Sequence, residues 1–209
     1  MRPVWGWLLL ALALALCPAP ATALDFALSD AGDGRSLIMR GEIARGDADR
    51  VERLLRASGP IVAVRLDSTG GNLAEAFAIG RLLRRGRIAA EIGDGAVCAS
   101  ACVYVLAGAP RRHVAQGGRV GVHMFASAHD GDVLAMIARL VREHGREGAA
   151  IVARRLEQRS AAMASEVAGY LEEMSVPLGL MIPTLATPPD KVRWLTRREM
   201  RAFGLSAGD

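Results

Sequence analysis

Hydrophobic positions along this chain change period several times, and each change predicts an element. Segment 25–33 is only weakly patterned and ends in the turn-like Gly32-Asp33-Gly34. Leu37, Ile38 and Met39 then mark a strand over 36–43, and Val51, Leu54 and Leu55 fall on one face of a helix over 47–57. Gly59-Pro60 stops that helix. Ile61-Val62-Ala63-Val64-Arg65-Leu66 is a short apolar, β-branched run of the kind found in buried parallel strands. It ends in Asp67-Ser68-Thr69-Gly70-Gly71-Asn72, after which Ala74, Phe77, Ala78 and Leu82 line the inward face of a helix over 73–85. A strand-like segment at 87–92 leads to Gly95-Ala96-Val97-Cys98-Ala99-Ser100-Ala101-Cys102, a run of small residues that opens a buried helix.

Two more strands follow, 113–115 and 119–124, joined by Gln116-Gly117-Gly118, and the second carries His123 at its end. Beyond a loop at 126–132, helical periodicity dominates 133–174, with a break near Gly145 or Gly148. A shorter helical stretch at 177–185 leads to Pro188-Pro189, a strand over 192–195, and a last helix capped by Thr196 and ended by Gly204. This alternation of strand, helix and strand predicts an α/β fold with a mostly parallel sheet, helical crossovers and a helical C-terminal region. Function is then expected at the carboxyl ends of the strands, where Gly70-Gly71, Ser100 and His123 all fall.

Composition narrows the picture. A chain of 209 residues with 51% hydrophobic content and 4% aromatics supports one domain with an aliphatic core. The net charge of +4 rests on arginine, since Lys191 is the single lysine, and the arginine pairs are scattered without interleaved aromatics, so no nucleic-acid partner is expected. Residues 1–23 read as a signal peptide: Arg2, an apolar stretch over 4–16, Pro18 and Pro20, then Ala21-Thr22-Ala23 as the cleavage site. The domain is expected over 24–209, in the periplasm or secreted; an uncleaved leader acting as a membrane anchor is the alternative. Removing the leader leaves two cysteines, Cys98 and Cys102, in a compartment that permits disulfides. Side chains four apart in a regular helix sit too far apart for a relaxed bond, so pairing requires Cys98 to precede the helix; two small buried thiols are the other reading.

A nucleophile, a base within reach and N–H donors for an oxyanion are what acyl transfer needs, and the three strand ends supply residues of those types. The motifs also resemble a known family. Asp67-Ser68-Thr69-Gly70-Gly71 resembles the Ser-Pro-Gly-Gly turn of the Clp protease proteolytic subunit (ClpP), Cys98-Ala99-Ser100-Ala101 its nucleophile turn, and Gly121-Val122-His123 its histidine strand. Trp194-Leu195-Thr196 through Ala202-Phe203-Gly204-Leu205 resembles its closing strand and helix, with order and spacing in parallel over about 36–205. The match is nearest to the exported ClpP-like proteins of bacteria, whose nucleophile turn commonly carries a cysteine-flanked serine. The resemblance implies a ClpP/crotonase-type fold of repeated β-β-α units. It also implies Ser100 as nucleophile, His123 as general base, and the backbone N–H groups of Gly71 and Ala101 as oxyanion hole, with Gly70 and Gly71 admitting a substrate backbone. No cofactor or metal is implied.

The third catalytic member is less plain. The family's alignment puts Val192 where an acid is wanted; Asp190, two residues earlier, serves only if its loop turns toward His123. A Ser-His dyad, or a histidine oriented by a carbonyl, stands beside it. Thr69 replaces the family's usual proline, whose fixed φ the turn then lacks. The expected activity is that of a serine peptidase on peptides or unfolded segments, in a homo-oligomer and without an ATPase partner. Two other classes compete: a catalytically silent binding or assembly protein of the same fold, and a crotonase-like acyl-thioester enzyme. His113, His129 and His144 belong to no motif and are expected at the surface.

Overall fold

The computed structural model describes residues 24–31, 34–125 and 131–206; residues 1–23, on which the expected signal peptide falls, Gly32 and Asp33, residues 126–130 with His129, and residues 207–209 lie outside them. Strands β1 (Asp25–Ala31) and β2 (Gly34–Ile43) pair antiparallel, Phe26 opposite Met39 and Leu28 opposite Leu37. The weak pattern at 25–31 thus belongs to a strand. It lies at the sheet edge with Leu28 exposed, so only part of its apolar content is needed inside.

β3 (Ile61–Gly71) runs parallel to β2 and extends through the whole Asp67-to-Gly71 segment, which the sequence alone suggests is a turn. The extension is real pairing: Glu42 and Ile43 of β2 continue to match Gly70 and Gly71. β3 is also where the sheet forks. Its residues Ala63, Val64 and Arg65 pair with β4 (Ala89–Ile92), while Ser68, further along, pairs with β5 (Val97–Ala99). β4 continues to β6 (Arg112–Val114), and β5 to β7 (Arg119–Val122), all parallel. Each repeat therefore sends its first strand to one branch of the sheet and its second to the other, and the β-β-α arrangement expected from the sequence is present. Antiparallel β8 (Arg193–Trp194) closes the second branch against β7.

Helices α1 (Asp47–Ala57), α2 (Leu73–Gly86) and α3 (Cys102–Gly108) follow β2, β3 and β5. α2 and α3 approach closely because both lack a side chain at the crossing: a Cβ on Gly108 would lie 2.3 Å from the Gly80 Cα. Around this contact Phe77 stacks on Tyr170 with 4.3 Å between ring centroids, and Tyr104 meets both rings edge-on. The Tyr170 hydroxyl donates to the Tyr104 carbonyl at 2.8 Å, so its one polar atom is satisfied inside an apolar cluster.

α4 (Gly131–Glu173) is two helices joined at Gly145, whose φ of 52° and ψ of −127° leave the helical region. Met136 and Ile137 share a cavity of about 240 Å³ with Val152, Leu156 and Arg159. At 1.5 Å per residue a straight helix would hold Ile137 and Val152 more than 20 Å apart, so the two arms fold back on each other. Gly148 allows it, since a Cβ there would lie 2.1 Å from the Leu140 carbonyl oxygen. A 3₁₀ turn (Leu178–Leu180), α5 (Met181–Ala186) and α6 (Arg197–Ala202) complete the chain, α6 opening with a capping box between Thr196 and Glu199. Among the described residues no helix is long and apolar enough to cross a membrane.

Candidate active site

β3, β5 and β7 are consecutive in one parallel branch of the sheet, so their carboxyl ends share an edge. Ser68 pairs with Cys98, and Ala99 with Gly121. Extending that register brings Gly70 beside Ser100 and puts His123 just beyond the end of β7. All three line one cleft of about 670 Å³, with Gly71 and Ala101. Residues 53 positions apart in sequence are thus brought together by register alone.

Ser100 occupies the turn between β5 and α3 with φ 54°, in the left-handed region that a non-glycine residue enters at a cost of roughly 1–2 kcal/mol. Its N–H donates to the Gly121 carbonyl at 3.0 Å and its carbonyl accepts from Val103 N–H at 3.1 Å, so the backbone is held on both sides. The Ala101 N–H finds no acceptor among the described residues. Gly70 makes the approach possible: with φ 110°, a Cβ there would stand 2.6 Å from the Ser100 Cβ and 2.9 Å from the Ala101 nitrogen. Gly71, with φ 127°, is exposed at the strand end and borders the same cleft.

Two residues of the motif to which the sequence assigns no role hold this segment. Buried Ser68 accepts the Gly70 N–H at 3.1 Å through its hydroxyl, a restraint on the end of β3, where Thr69 stands in place of proline. Asp67 accepts the Val97 N–H at 3.1 Å, tying the start of β5 to β3. Asn72 caps α2 by accepting the Glu75 N–H, and the Glu75 carboxylate accepts the N–H groups of Gly46 and Ala48 at the start of α1. Motif reasoning locates the glycines; short side-chain acceptors beside them were the available signal for the rest.

Cys98 is in β5, Cys102 is the first residue of α3, and the two form a disulfide with Cα atoms 5.2 Å apart, both fully buried. The bond spans the Ser100 turn.

His123 is half-buried, and its Nδ1 lies 2.9 Å from the Met124 carbonyl oxygen. With Nδ1 protonated and donating there, Nε2 is left as the acceptor, the tautomer a general base needs. Met124 is fixed in turn, its N–H donating to the Thr187 carbonyl at 2.9 Å. Asp190 is exposed in the turn after Pro188-Pro189, and no hydrogen bond among the described residues joins it to His123; Pro189, not Asp190, borders the cleft. Nor does a hydrogen bond join Ser100 Oγ to His123. His113 and His144 are exposed, away from the cleft.

The far wall comes from α4, where Arg159, Met163 and Glu166 project at helical spacing beside Tyr104 and Phe125. Burial pushes the Tyr104 phenol well above its ordinary range, with a hydrogen bond to Thr184 acting weakly the other way, so it stays neutral. Among the described residues no group of three His, Cys, Asp or Glu side chains is placed to hold a metal ion.

No protein-family model and no curated protein matches this chain. Among solved structures, the chain is similar to a mutant of ClpP1 from Listeria monocytogenes, with 18% identity, a TM-score of 0.49, and coverage of 82% of this chain and 88% of that one.

Proposed function

We propose that the chain is a ClpP-like serine hydrolase, exported from the cytoplasm, that cleaves peptides or unfolded segments without an ATPase. The observation that carries this reading is the shared strand edge: Ser100 in a left-handed turn, His123 on the same cleft, and Gly71 and Ala101 beside them. In this mechanism the Ser100 Oγ attacks the scissile carbonyl carbon while His123 Nε2 takes its proton. The carbonyl oxygen, now negative, receives the N–H groups of Gly71 and Ala101. His123 returns the proton to the leaving amine, and water then hydrolyses the acyl-enzyme by the same steps. The Met124 carbonyl, which lies against Nδ1, orients the ring in the place of a carboxylate; Asp190 takes that part only if its turn moves.

A peptide lies extended along the end of β3, where exposed Gly71 borders the cleft, while Gly70 is taken up by its contact with the Ser100 turn. Assembly into a homo-oligomer belongs to the same proposal. A second reading, a silent binding protein of this fold, draws on the missing hydrogen bond between Ser100 and His123. Hydrolysis of a fluorogenic peptide mixture separates the two. On the first reading, Ser100→Ala and His123→Ala each lower turnover by about 10⁴-fold and leave stability within about 0.5 kcal/mol of wild type. Absence of any turnover by the folded wild-type protein, or equal turnover in all three, rejects the hydrolase.

A further inference from the structure

We propose that the Cys98–Cys102 disulfide is the positioning device of the Ser100 turn, a role that rests on Ser100 being the nucleophile. Three non-glycine residues with positive φ are described, Arg87, Ser100 and Ser175. Arg87 and Ser175 end helices, and each donates its N–H to a carbonyl of the last turn, Arg84 and Glu172 respectively, as helix ends ordinarily do. Ser100 stands at a helix beginning, where no such motif operates. The Ncap residue of α3 is Ala101, a poor cap, and no side chain caps the helix. What joins β5 to the first residue of α3 across the strained serine is the covalent bond.

The surroundings fit a fixed constraint rather than an exposed switch. Both cysteines have no accessible surface, and Gly70 closes the other side of the turn, within van der Waals reach of Ser100 and the Ala101 nitrogen. With the bond in place, relaxation of Ser100 toward negative φ is opposed, because it would swing Cys102 away from Cys98. Without it only the Ser100 backbone hydrogen bonds to Gly121 and Val103 and the contact with Gly70 oppose relaxation, which would carry Oγ and the Ala101 N–H off the reacting position. A displacement of about 1 Å costs on the order of a hundredfold in rate.

The test compares wild type, Cys98→Ala/Cys102→Ala and, as blank, Ser100→Ala, at a temperature well below each melting point. A fluorophosphonate probe gives the maximal inactivation rate and the probe's dissociation constant separately, and hydrogen exchange is followed at the Ser100 and Val103 amides, whose hydrogen bonds hold the turn. The expected result is an inactivation rate about a hundredfold lower in the double variant, an unchanged dissociation constant, and faster exchange at those amides. A folded double variant with wild-type inactivation rate and wild-type exchange overturns the proposal.

Should the double variant not fold, wild type treated with a water-soluble phosphine carries the same comparison: phosphine and water yield two thiols and the phosphine oxide. Reoxidation must then restore the rate, and failure to restore it in folded protein counts against the positioning role. If wild type takes no label, the hydrolase reading fails, and the exchange arm alone decides whether the bond holds the turn.

Discussion

Ser100 and Gly70 form a matched pair, one a residue with a side chain in a conformation that disfavours it, the other a residue with no side chain where none fits. A methyl group on Gly70 would meet the Ser100 Cβ, the Ala99 carbonyl and the Ala101 nitrogen, all within 3 Å, while φ 110° is itself unfavourable for alanine. Gly70→Ala is therefore expected to lose about 1–3 kcal/mol of stability and most of its reactivity toward a fluorophosphonate, measured by urea unfolding and by labelling rate. Wild-type reactivity in that variant would show that the turn tolerates displacement. The disulfide belongs to this scale too. Closing so short a loop, with a sequence separation of 4, removes only about 2 kcal/mol of unfolded-chain entropy, so its larger effect is expected on the geometry of Ser100.

At the scale of elements, the close approach of α2 packs α3, the helix that follows the Ser100 turn. Gly80 and Gly108 face each other at the crossing, and Gly80 also accommodates the Tyr170 hydroxyl, only 1.8 Å from where a Cβ would stand. Gly108→Ala has backbone for a neighbour and cannot repack by moving a side chain; a loss of about 1–3 kcal/mol in chemical unfolding is expected, with no loss if the helices simply separate. This contact was illegible in the sequence, where both glycines interrupt good helical patterns. Period and punctuation did announce α1, α2, the break at Gly145 and the Thr196 cap, because each depends on neighbours along the chain. β1 and the far half of β3 were hidden because their order comes from pairing with β2, and Asp67, Ser68 and Thr69 look like turn residues. The candidate site was more legible than the fold around it: Gly70-Gly71, Ser100 and His123 carry their spacing in sequence. The α4 wall, with Arg159, Met163 and Glu166, depends on where a distant helix returns.

Across the whole molecule, α4 comes back to the core through its second arm, where Val167, Tyr170 and Leu171 are buried, with Met174 buried just past its end. Arginines fasten that return. Arg81 makes a bidentate pair with Glu173, and Arg112 donates to the carbonyls of Ala107, Ala109, Met174 and Gly204, gathering α3, α4 and the C-terminal segment. Burial, and secondarily repulsion from Arg84, pushes Arg112 down to about 10, which leaves it charged at neutral pH. The hydrogen bond from Arg81, with its charge, holds the Glu173 carboxyl below its ordinary value of 4.5. A folded value below the unfolded one gives stabilisation that is complete above the unfolded value and is lost as pH falls through the folded one. Glu173→Gln is thus expected to flatten the fall in unfolding free energy below about pH 4.5, read from urea unfolding at a series of pH values. An unaltered slope would mean that this exposed pair contributes nothing, as many surface pairs do.

Whether the shared strand edge activates Ser100 is read from the intact mass of the protein after fluorophosphonate treatment. Attack of Ser100 Oγ on phosphorus expels fluoride and leaves one covalent adduct. A single adduct is expected on wild type, none on Ser100→Ala, and a greatly slowed one on His123→Ala. Folded wild-type protein without an adduct, or labelling indifferent to Ser100 and His123, would contradict that activation.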